Sequence, residues 1–271
     1  MTVDWLGLCR EAVADIEAVL GELATREARS RPMGLGQGGD ETVAVDLAAE
    51  DAIVKRLEAL HAETGLDLVL VSEELGERRF GPHPALRVVV DPIDGSVNAK
   101  SCIPFFSFSL AVAEGRYMGD VAFGYVRDLG SGEEWVATRG AGALLDGVPL
   151  ETGGPRETIE LLSLEGTTAS LVADYAERLR GLSARLRIMG SLALSLCHLA
   201  AGRVDAVVSL KPIRSVDIAA AQLLLRERGF AITLPGAGSF LRAPLDVTSR
   251  SRVVAAGTPE LCDRLAAALE G

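Results

Sequence analysis

The sequence predicts a layered α/β fold, with an α+β first half and an α/β second half. Apolar residues recur at helical spacing from Trp5 to Leu23 and again from about Thr42 to His61. The segments FFSFSLAVAEG, GDVAFGYVRDL and EEWVAT then follow one another as a strand meander, which is typical of an antiparallel sheet. Beyond Pro155 strand and helix patterns alternate, which indicates an α/β layer.

The elements of the first half follow in order. The first helix ends in SRPMGLGQGGD, residues Ser30–Asp40, whose four glycines favour a mobile loop over a regular element, although an ordinary linker fits this composition equally well. LDLVLVSEE predicts a buried strand over Leu66–Val71, and LRVVVD predicts a second one that ends at Asp91. In GALLDGVPL, an Asp-Gly pair between short apolar runs predicts a hairpin.

In the second half, IELLSLEG, LRIMG, VDAVVSL and SRVVAAG predict strands. Helices are predicted over Ala169–Leu182, SLALSLCHLAAG and VDIAAAQLLLRERG, with a last helix at the C-terminus. We find neither an internal repeat nor a linker of low complexity. We therefore predict a single domain over residues 1–271, with subregions of about 1–154 and 155–271.

Composition limits the classes of function. The 271 residues are 48% hydrophobic and carry a formal net charge of -11, which argues against binding to nucleic acid or to an anionic membrane. The four cysteines are widely separated and form no C-x-x-C pair, which excludes a zinc framework and a disulfide scaffold. The N-terminus does not have the pattern of a secretory signal, and the apolar runs are too short to cross a bilayer. We expect a soluble cytoplasmic protein.

Four acidic residues lie at strand ends or helix starts, where a sheet presents its functional side chains: Glu73, Asp91, Asp94 and Asp217. A lone D-x-x-D-G is more often a capped turn than a binding site. Bringing several carboxylates together is costly unless a cation compensates their charge. The set as a whole therefore favours a metal site.

The turn DPIDGS gives this site a geometry. Its proline holds Asp91 extended, and Gly95 lets the chain turn, so that Asp91 and Asp94 converge with the Ile93 carbonyl between them. Ligands that are all oxygen suit Mg²⁺ or Mn²⁺ rather than zinc. The N–H groups of Gly95 and Ser96 are expected to open a short helix and to receive a phosphate.

Four segments together resemble the inositol monophosphatase family of Mg²⁺-dependent, lithium-sensitive phosphatases: VSEELGE, VDPIDGSVNAKSCIPFFSFSLAV, MGSLALSLCHLAAGRVDAVV and SVDIAAAQLLLRERG. The resemblance extends from about Met33 to the C-terminus and implies a layered αβαβα sugar-phosphatase fold. MGLGQGGDET and LKPIRSVDIAAA are similar to the archaeal-type branch. Members of that branch often hydrolyse both inositol 1-phosphate and fructose 1,6-bisphosphate.

The resemblance implies two or three Mg²⁺ ions, or Mn²⁺, for each active site. The ligands of the first metal match Glu73, Asp91 and the Ile93 carbonyl, and those of the second match Asp91, Asp94 and Asp217. Metal ions of this kind lower the pKa of a bound water and neutralise charge on the phosphoryl group, so that no protein nucleophile is required.

Glu73 matches a catalytic residue of the family. Asp46 and Ser96 match the pair that activates the attacking water in the family. Substrate-binding positions match Asp94, Gly95, Ser96, Arg187, Gly190 and Ser191. For Ser191 a helix cap explains the sequence equally well. Lys100, Lys211 and Arg214 are also close enough in sequence to contact substrate, although solvated charges are more common at such positions.

The sequence departs from the family pattern at five positions. Glu41 stands where proline is usual, and Val43 occupies the region of a common lysine. Val216 replaces a tryptophan, Ala221 replaces a glycine, and Ser96 replaces a threonine whose hydroxyl it keeps. None of these changes removes a matched metal ligand. The change at Val43 bears on how the Met33–Asp40 loop responds to substrate or to a third metal.

We predict Mg²⁺-dependent hydrolysis of a small phosphorylated sugar or polyol, with inositol 1-phosphate and fructose 1,6-bisphosphate as the leading substrates. One alternative is a phosphatase of another sugar or nucleotide phosphate, such as phosphoadenosine phosphate. A different class of function is a non-catalytic regulator that keeps the fold and binds metal. The resemblance also implies lithium inhibition and a homodimer.

Overall fold

The computed structural model of the protein describes residues 3–35, 41–151 and 154–270. The described residues form eight α-helices: α1 (Trp5–Glu22), α2 (Arg26–Arg29), α3 (Ala44–Thr64), α4 (Ser96–Lys100), α5 (Ala169–Leu179), α6 (Leu192–Ala200), α7 (Ala221–Glu227) and α8 (Pro259–Glu270).

They also form strands that we number in chain order: β1 (Pro32–Leu35), β2 (Glu41–Val43), β3 (Leu68–Ser72), β4 (Gly76–Phe80), β5 (Leu86–Asp94), β6 (Ser107–Ala113), β7 (Val121–Asp128), β8 (Glu134–Thr138), β9 (Gly142–Leu145), β10 (Val148–Pro149), β11 (Leu161–Glu165), β12 (Arg185–Arg187), β13 (Ala206–Ser209), β14 (Ala231–Thr233) and β15 (Val254–Ala256). Within the described part of the chain, no helix combines the length and apolar character needed to cross a membrane.

The first sheet has eight strands in the order β10-β9-β8-β7-β6-β5-β3-β4. Every pair in it is antiparallel except β3 and β5, which run parallel. Both faces of the sheet are covered. On β5, Val88 and Val90 pack in the core shared with α1 and α3, whereas Val89 packs in the core shared with α6 and α7. The continuous apolar run in β5 reflects this burial on both sides.

The second sheet has the order β12-β11-β13-β15-β14, with β12, β11 and β13 parallel and the other pairs antiparallel. Val207 faces the core that contains α6 and α7, and its neighbours Ala206 and Val208 face the core that contains α5 and α8. The layers therefore run helix, sheet, helix, sheet, helix. The predicted αβαβα architecture is confirmed.

Some sequence-based boundaries were wrong. Within the predicted mobile loop Ser30–Asp40, residues Pro32–Leu35 form β1 and pair with β2, and residues 36–40 lie outside the described residues. Ladder hydrogen bonds offset the entropy that glycine loses in a strand. Asp217 does not open a helix, because α7 begins at Ala221 and Asp217 lies in the preceding turn. The polar edge strand β4 was not predicted, since its outward residues lack an apolar pattern.

Candidate active site

Three carboxylates from separate elements converge at one edge of the first sheet. Because β3 and β5 are parallel neighbours, their carboxyl ends meet there. Glu73 directly follows β3, Asp91 lies near the end of β5, and Asp217 comes from the turn before α7. One oxygen from each of these side chains lies within 4.8 Å of the other two. The structure thus brings Asp217 next to two residues that precede it by more than a hundred positions.

Burial and mutual repulsion raise the pKa values of Glu73 and Asp91. The pKa of Glu73 rises to about 8, first because burial desolvates its charge and then because the Asp217 carboxylate is near. The pKa of Asp91 is raised well above its ordinary value by burial and then by the charge of Glu73. Such a group is costly to ionise without a cation. The all-oxygen donor set fits a hard divalent metal ion.

Arg214 supplies part of the compensating charge. Its guanidinium forms an ion pair with Glu73, and its backbone N–H donates to Oδ2 of Asp217 at 2.8 Å. The residue therefore joins the end of β3 to the turn before α7. A guanidinium and a metal ion both neutralise carboxylates, so Arg214 and a metal compete for the charge of Glu73.

Asp94 is buried but is not one of the three clustered carboxylates. Its Oδ2 accepts hydrogen bonds from the Ser191 hydroxyl and from the Ala193 N–H, the latter at 2.8 Å. Burial raises its pKa to about 7, although the hydrogen bond from Ser191 acts in the opposite direction. These contacts attach the DPIDGS turn to the start of α6.

Asp46 and Ser96 lie beside the cluster. Together with Glu73, Asp91 and Ile93, they line one small pocket. The Ser96 hydroxyl donates to the Ile93 carbonyl at 2.9 Å. Burial raises the pKa of Asp46 to about 6, while a hydrogen bond from Ser96 lowers it. Among the described residues, the buried Oδ1 of Asp46 has no hydrogen-bond partner, which leaves an acceptor for a water or a metal-bound ligand.

The DPIDGS turn contacts the loop before α6. Gly95 and Gly190 both have positive φ, 91° and 93°. A Cβ added to Gly95 would lie 2.9 Å from the Gly190 carbonyl oxygen, so only glycine permits this approach. Asn98 fastens the contact, because its amide donates to the Phe105 carbonyl at 2.8 Å and to the Met189 carbonyl at 2.7 Å.

Sequence reasoning missed Glu165, at the end of β11. This carboxylate is 2% exposed and accepts from the Ser195 hydroxyl at 2.8 Å and from the Ser163 hydroxyl at 2.9 Å. It also accepts from the N–H groups of Gly190 at 2.9 Å and Met189 at 3.3 Å. Burial raises its pKa above the ordinary value. Its signal was present, since LLSLEG ends a buried strand on an acid, as the strand before Glu73 does.

Glu50 was missed as well. It lies one turn after Asp46 on α3 and is fully buried. Its carboxylate accepts from the Ser72 hydroxyl and from the Leu75 N–H, the latter at 3.3 Å. Both donors flank Glu73, so Glu50 fixes the segment that carries this residue. An acid at helical spacing from Asp46 was the available signal.

Other predicted positions lie outside the cluster of Glu73, Asp91 and Asp217. Arg187 is exposed on β12 and donates to the Leu186 carbonyl at 2.9 Å. Ser191 caps α6 by accepting from the Leu194 N–H at 3.3 Å, in addition to its contact with Asp94. Val43 is buried in the core under α3, and among the described residues it is not part of the pocket lining.

Residues 6–271 match a family model that is described as "Inositol monophosphatase family". The chain belongs to this family. The chain is therefore a phosphoric monoester hydrolase by class, and the family acts on small phosphorylated sugars. Members are generally metal-dependent, which agrees with the acidic cluster of Glu73, Asp91 and Asp217.

Individual relatives agree with this placement. A "Fructose-1,6-bisphosphatase/inositol-1-monophosphatase" from Methanothermobacter thermautotrophicus is 32% identical over 98% of this chain and 96% of its own. A "Bifunctional NADP phosphatase/NAD kinase" from Methanococcus maripaludis is 28% identical over 93% of this chain but only 47% of its own. A solved structure described as an inositol monophosphatase–fructose 1,6 bisphosphatase superposes with a TM-score of 0.83 at 28% identity, covering 98% of this chain and 100% of the other.

Proposed function

We propose that the protein is a Mg²⁺-dependent phosphatase that hydrolyses inositol 1-phosphate, fructose 1,6-bisphosphate or both. The observation that carries this proposal is the convergence of Glu73, Asp91 and Asp217 within 4.8 Å. A buried all-oxygen site of this kind suits two or three Mg²⁺ ions, with Mn²⁺ as a substitute. When bound, Mg²⁺ would supply positive charge to the phosphoryl group and an activated water.

The protein groups have separate tasks in this proposal. Glu73, Asp91 and the Ile93 carbonyl would hold one metal, and Asp91, Asp94 and Asp217 would hold a second. Our assignment of Asp94 is supported by its place in the turn, where Ser191 and Ala193 orient Oδ2 and leave the Oδ1 side as the candidate ligand.

Asp46 and Ser96 would orient the attacking water. Ser96 already donates to the Ile93 carbonyl, and Oδ1 of Asp46 points to no protein donor among the described residues. With the pKa of Asp46 near 6, this group is mostly ionised at neutral pH and can accept a proton from the water. Glu73 and Glu74 line the same pocket.

The substrate would sit between the two halves of the molecule. In this proposal the N–H groups of Gly95 and Ser96 would hold the phosphate, and the loop of Gly190 and Ser191 would meet the sugar hydroxyls. Arg187 on the neighbouring strand β12 is exposed, which suits a contact with the far end of a substrate. A second phosphate on that substrate is the anion that a guanidinium binds best.

The test is phosphate release from a panel of substrates, each with Mg²⁺ and with the metal chelated. The panel contains inositol 1-phosphate, fructose 1,6-bisphosphate, NADP and phosphoadenosine phosphate. We expect release only with Mg²⁺ and fastest from the first two. Fastest release from a nucleotide would instead favour the alternative that the NADP phosphatase relative suggests.

The regulator alternative makes the opposite prediction. It requires metal binding without turnover of any substrate in the panel. Every matched metal ligand and both water-orienting groups are present in the chain, and this favours the enzyme. A metal titration by calorimetry, run beside the activity assay, separates a dead catalyst from a protein that does not bind metal.

Several further properties complete the proposal. We infer that residues 1–271 act as one domain, since α6 and α7 share a single core with both sheets. We also propose a homodimer and inhibition by lithium on the basis of the family resemblance, and a cytoplasmic location on the basis of the cysteine and N-terminal sequence patterns. Sedimentation, a lithium titration of the activity and cell fractionation test these three properties.

A further inference from the structure

A second cavity is lined in part by Arg214 and Ser215, in the segment that precedes Asp217. Its volume is about 380 Å³, which is within the range of small-molecule sites. None of the described residues that line it also lines the pocket of Asp46, Glu73 and Asp91. The cavity is therefore distinct from that pocket, although Arg214, which pairs with Glu73, also contributes to its lining.

The floor of this cavity is apolar. It is formed by Met118, Ile218 and Leu234, whose side chains belong to the core between the two sheets and are at most 6% exposed. Because these residues are fixed by core packing, the floor is preformed. An apolar body placed on it loses water contact without a need for the protein to rearrange.

The walls are cationic and polar. Arg214, Arg242 and Arg250 line the cavity together with four serines. In a chain with a net charge of -11, the described lining contains three arginines and no carboxylate side chain. An arginine-rich wall of this kind has the chemistry of an anion site, since the guanidinium fork matches phosphate and carboxylate oxygens.

Two of the arginines are held in place by contacts outside the cavity. The Arg242 guanidinium lies over the Tyr117 ring, 5.4 Å from its centroid. Arg250 donates to the Val247 carbonyl at 2.7 Å. The turn that carries Arg250 is itself fixed, because Asp246 accepts from the Ser249 N–H at 2.7 Å. Positioned side chains lose less entropy when a ligand binds.

We propose that this cavity binds a small organic phosphate with an apolar body. Arg242 and Arg250 contact the phosphate, and the body packs on Met118, Ile218 and Leu234. An inorganic anion would satisfy only the walls, and a neutral apolar molecule would satisfy only the floor. The combination therefore selects a ligand that has both parts.

The probe is phenylphosphonate, which has a phosphate-like head and a ring and which no phosphatase can hydrolyse as an ester. Binding is measured by calorimetry with all divalent metal chelated, so that the carboxylate cluster repels the probe. Methylphosphonate is the matched ligand without a ring. Arg242→Gln and Arg250→Gln are the test variants. Arg180→Gln, which removes an exposed arginine of α5 paired with Glu177, is the control for lost charge.

We expect phenylphosphonate to bind the wild type and Arg180→Gln equally. Each test variant should bind it about tenfold more weakly, the loss of one charge-assisted contact. Methylphosphonate should bind the wild type more weakly than phenylphosphonate does. The proposal is overturned by absence of binding at millimolar concentration, by equal binding to all variants, or by equal affinity for the two phosphonates. Because Arg242 and Arg250 are exposed, both variants should fold, and circular dichroism verifies it.

Discussion

The two sheets contribute to the candidate site in different ways. The first sheet supplies two of the clustered carboxylates, Glu73 and Asp91, from parallel neighbours β3 and β5. The second sheet supplies none of the three, because Asp217 lies in a turn that follows β13. The contribution of the second sheet is Glu165, which orders the loop before α6 by accepting hydrogen bonds from the N–H groups of Met189 and Gly190.

This difference separates chemistry from positioning. Groups of the first half lie where a metal and a water would react, whereas Glu165 acts through Gly190 and Ser191 on Asp94. Asp217 and its neighbour Arg214 close the site from the second half. A site that lies between two layers needs positioning residues in each layer. Variants on the two sides should therefore fail in distinguishable ways.

The largest effect is expected for Asp91→Asn, on the side of the first sheet. The amide is a poor metal ligand, so turnover with Mg²⁺ should fall by roughly a thousandfold or more. The fold should persist, because the change removes one of several repelling buried charges. Phosphate release and thermal unfolding measure the two effects. Asp174→Asn, an exposed change on α5, is the control. Near-normal turnover of Asp91→Asn would contradict the metal assignment.

A smaller effect is expected for Glu165→Gln, on the side of the second sheet. An amide cannot accept from all four donors, so the Gly190 loop should shift and kcat should fall roughly 10- to 100-fold. The affinity for Mg²⁺ should also weaken, since Asp94 loses its fixed partner. Glu160→Gln, an exposed acid just before the same strand, is the control. If only the thermal stability changes, Glu165 has a purely structural role.

Ser191→Ala sharpens the comparison further. The variant removes a helix cap and the hydroxyl bound to Asp94, so the free energy of unfolding should drop by about 1 kcal/mol. Turnover should drop about tenfold. Thr168→Ala removes a similar cap from α5, far from the carboxylates. Thr168→Ala should lose about as much stability as Ser191→Ala does, and its activity should be normal. Equal activity of the two variants would argue against a role for Ser191 beyond the cap.

The smallest expected effect is the pH dependence of stability with metal chelated. The pKa of Glu73 rises from 4.5 to about 8, so the folded state holds this proton more tightly than the unfolded chain. Its contribution is complete below pH 4.5 and is lost as the pH rises through about 8. Stability should therefore fall more steeply with pH in the wild type than in Glu73→Gln. Mg²⁺ should restore stability at the alkaline end.

Thermal unfolding of both proteins across this pH range measures the difference. The comparison between variants is needed because burial also raises the pKa of Asp46 to about 6 and that of Glu50 to about 7, so both groups titrate in the same range with the same sign. Parallel curves for the wild type and Glu73→Gln would show that Glu73 is not under strain from its neighbours.

The layers and the acidic strand ends were predictable from sequence, because each depends on local pattern. The valines before Asp91 predict a strand buried on both faces, and the proline and glycine of DPIDGS predict the turn. The contact of Ser191 with Asp94 spans 97 positions and that of Arg214 with Glu73 spans 141. Periodicity contains no information on such pairs, since only the packing of the two halves brings them together.

The missed residues follow the same logic. Glu165 ends a buried strand and Glu50 lies at helical spacing from Asp46, but neither pattern identifies the donors that bind these acids. Their donors lie on elements that meet them only after folding, such as Ser195 on α6 and Ser72 on β3. The strand Pro32–Leu35 was missed because its glycine-rich sequence favours a loop until β2 pairs with it.

The close approach of Gly95 and Gly190 has an evolutionary consequence. Each position lacks space for even one methyl group: that of Gly95 would meet a backbone oxygen, and that of Gly190 would meet the Asn98 amide at 2.7 Å. Neither glycine can therefore be replaced alone. A change in the backbone at one position requires a compensating change at the other. The two halves of the chain should accept substitutions freely elsewhere on their surfaces. At this contact we expect Gly95 and Gly190 to be retained together.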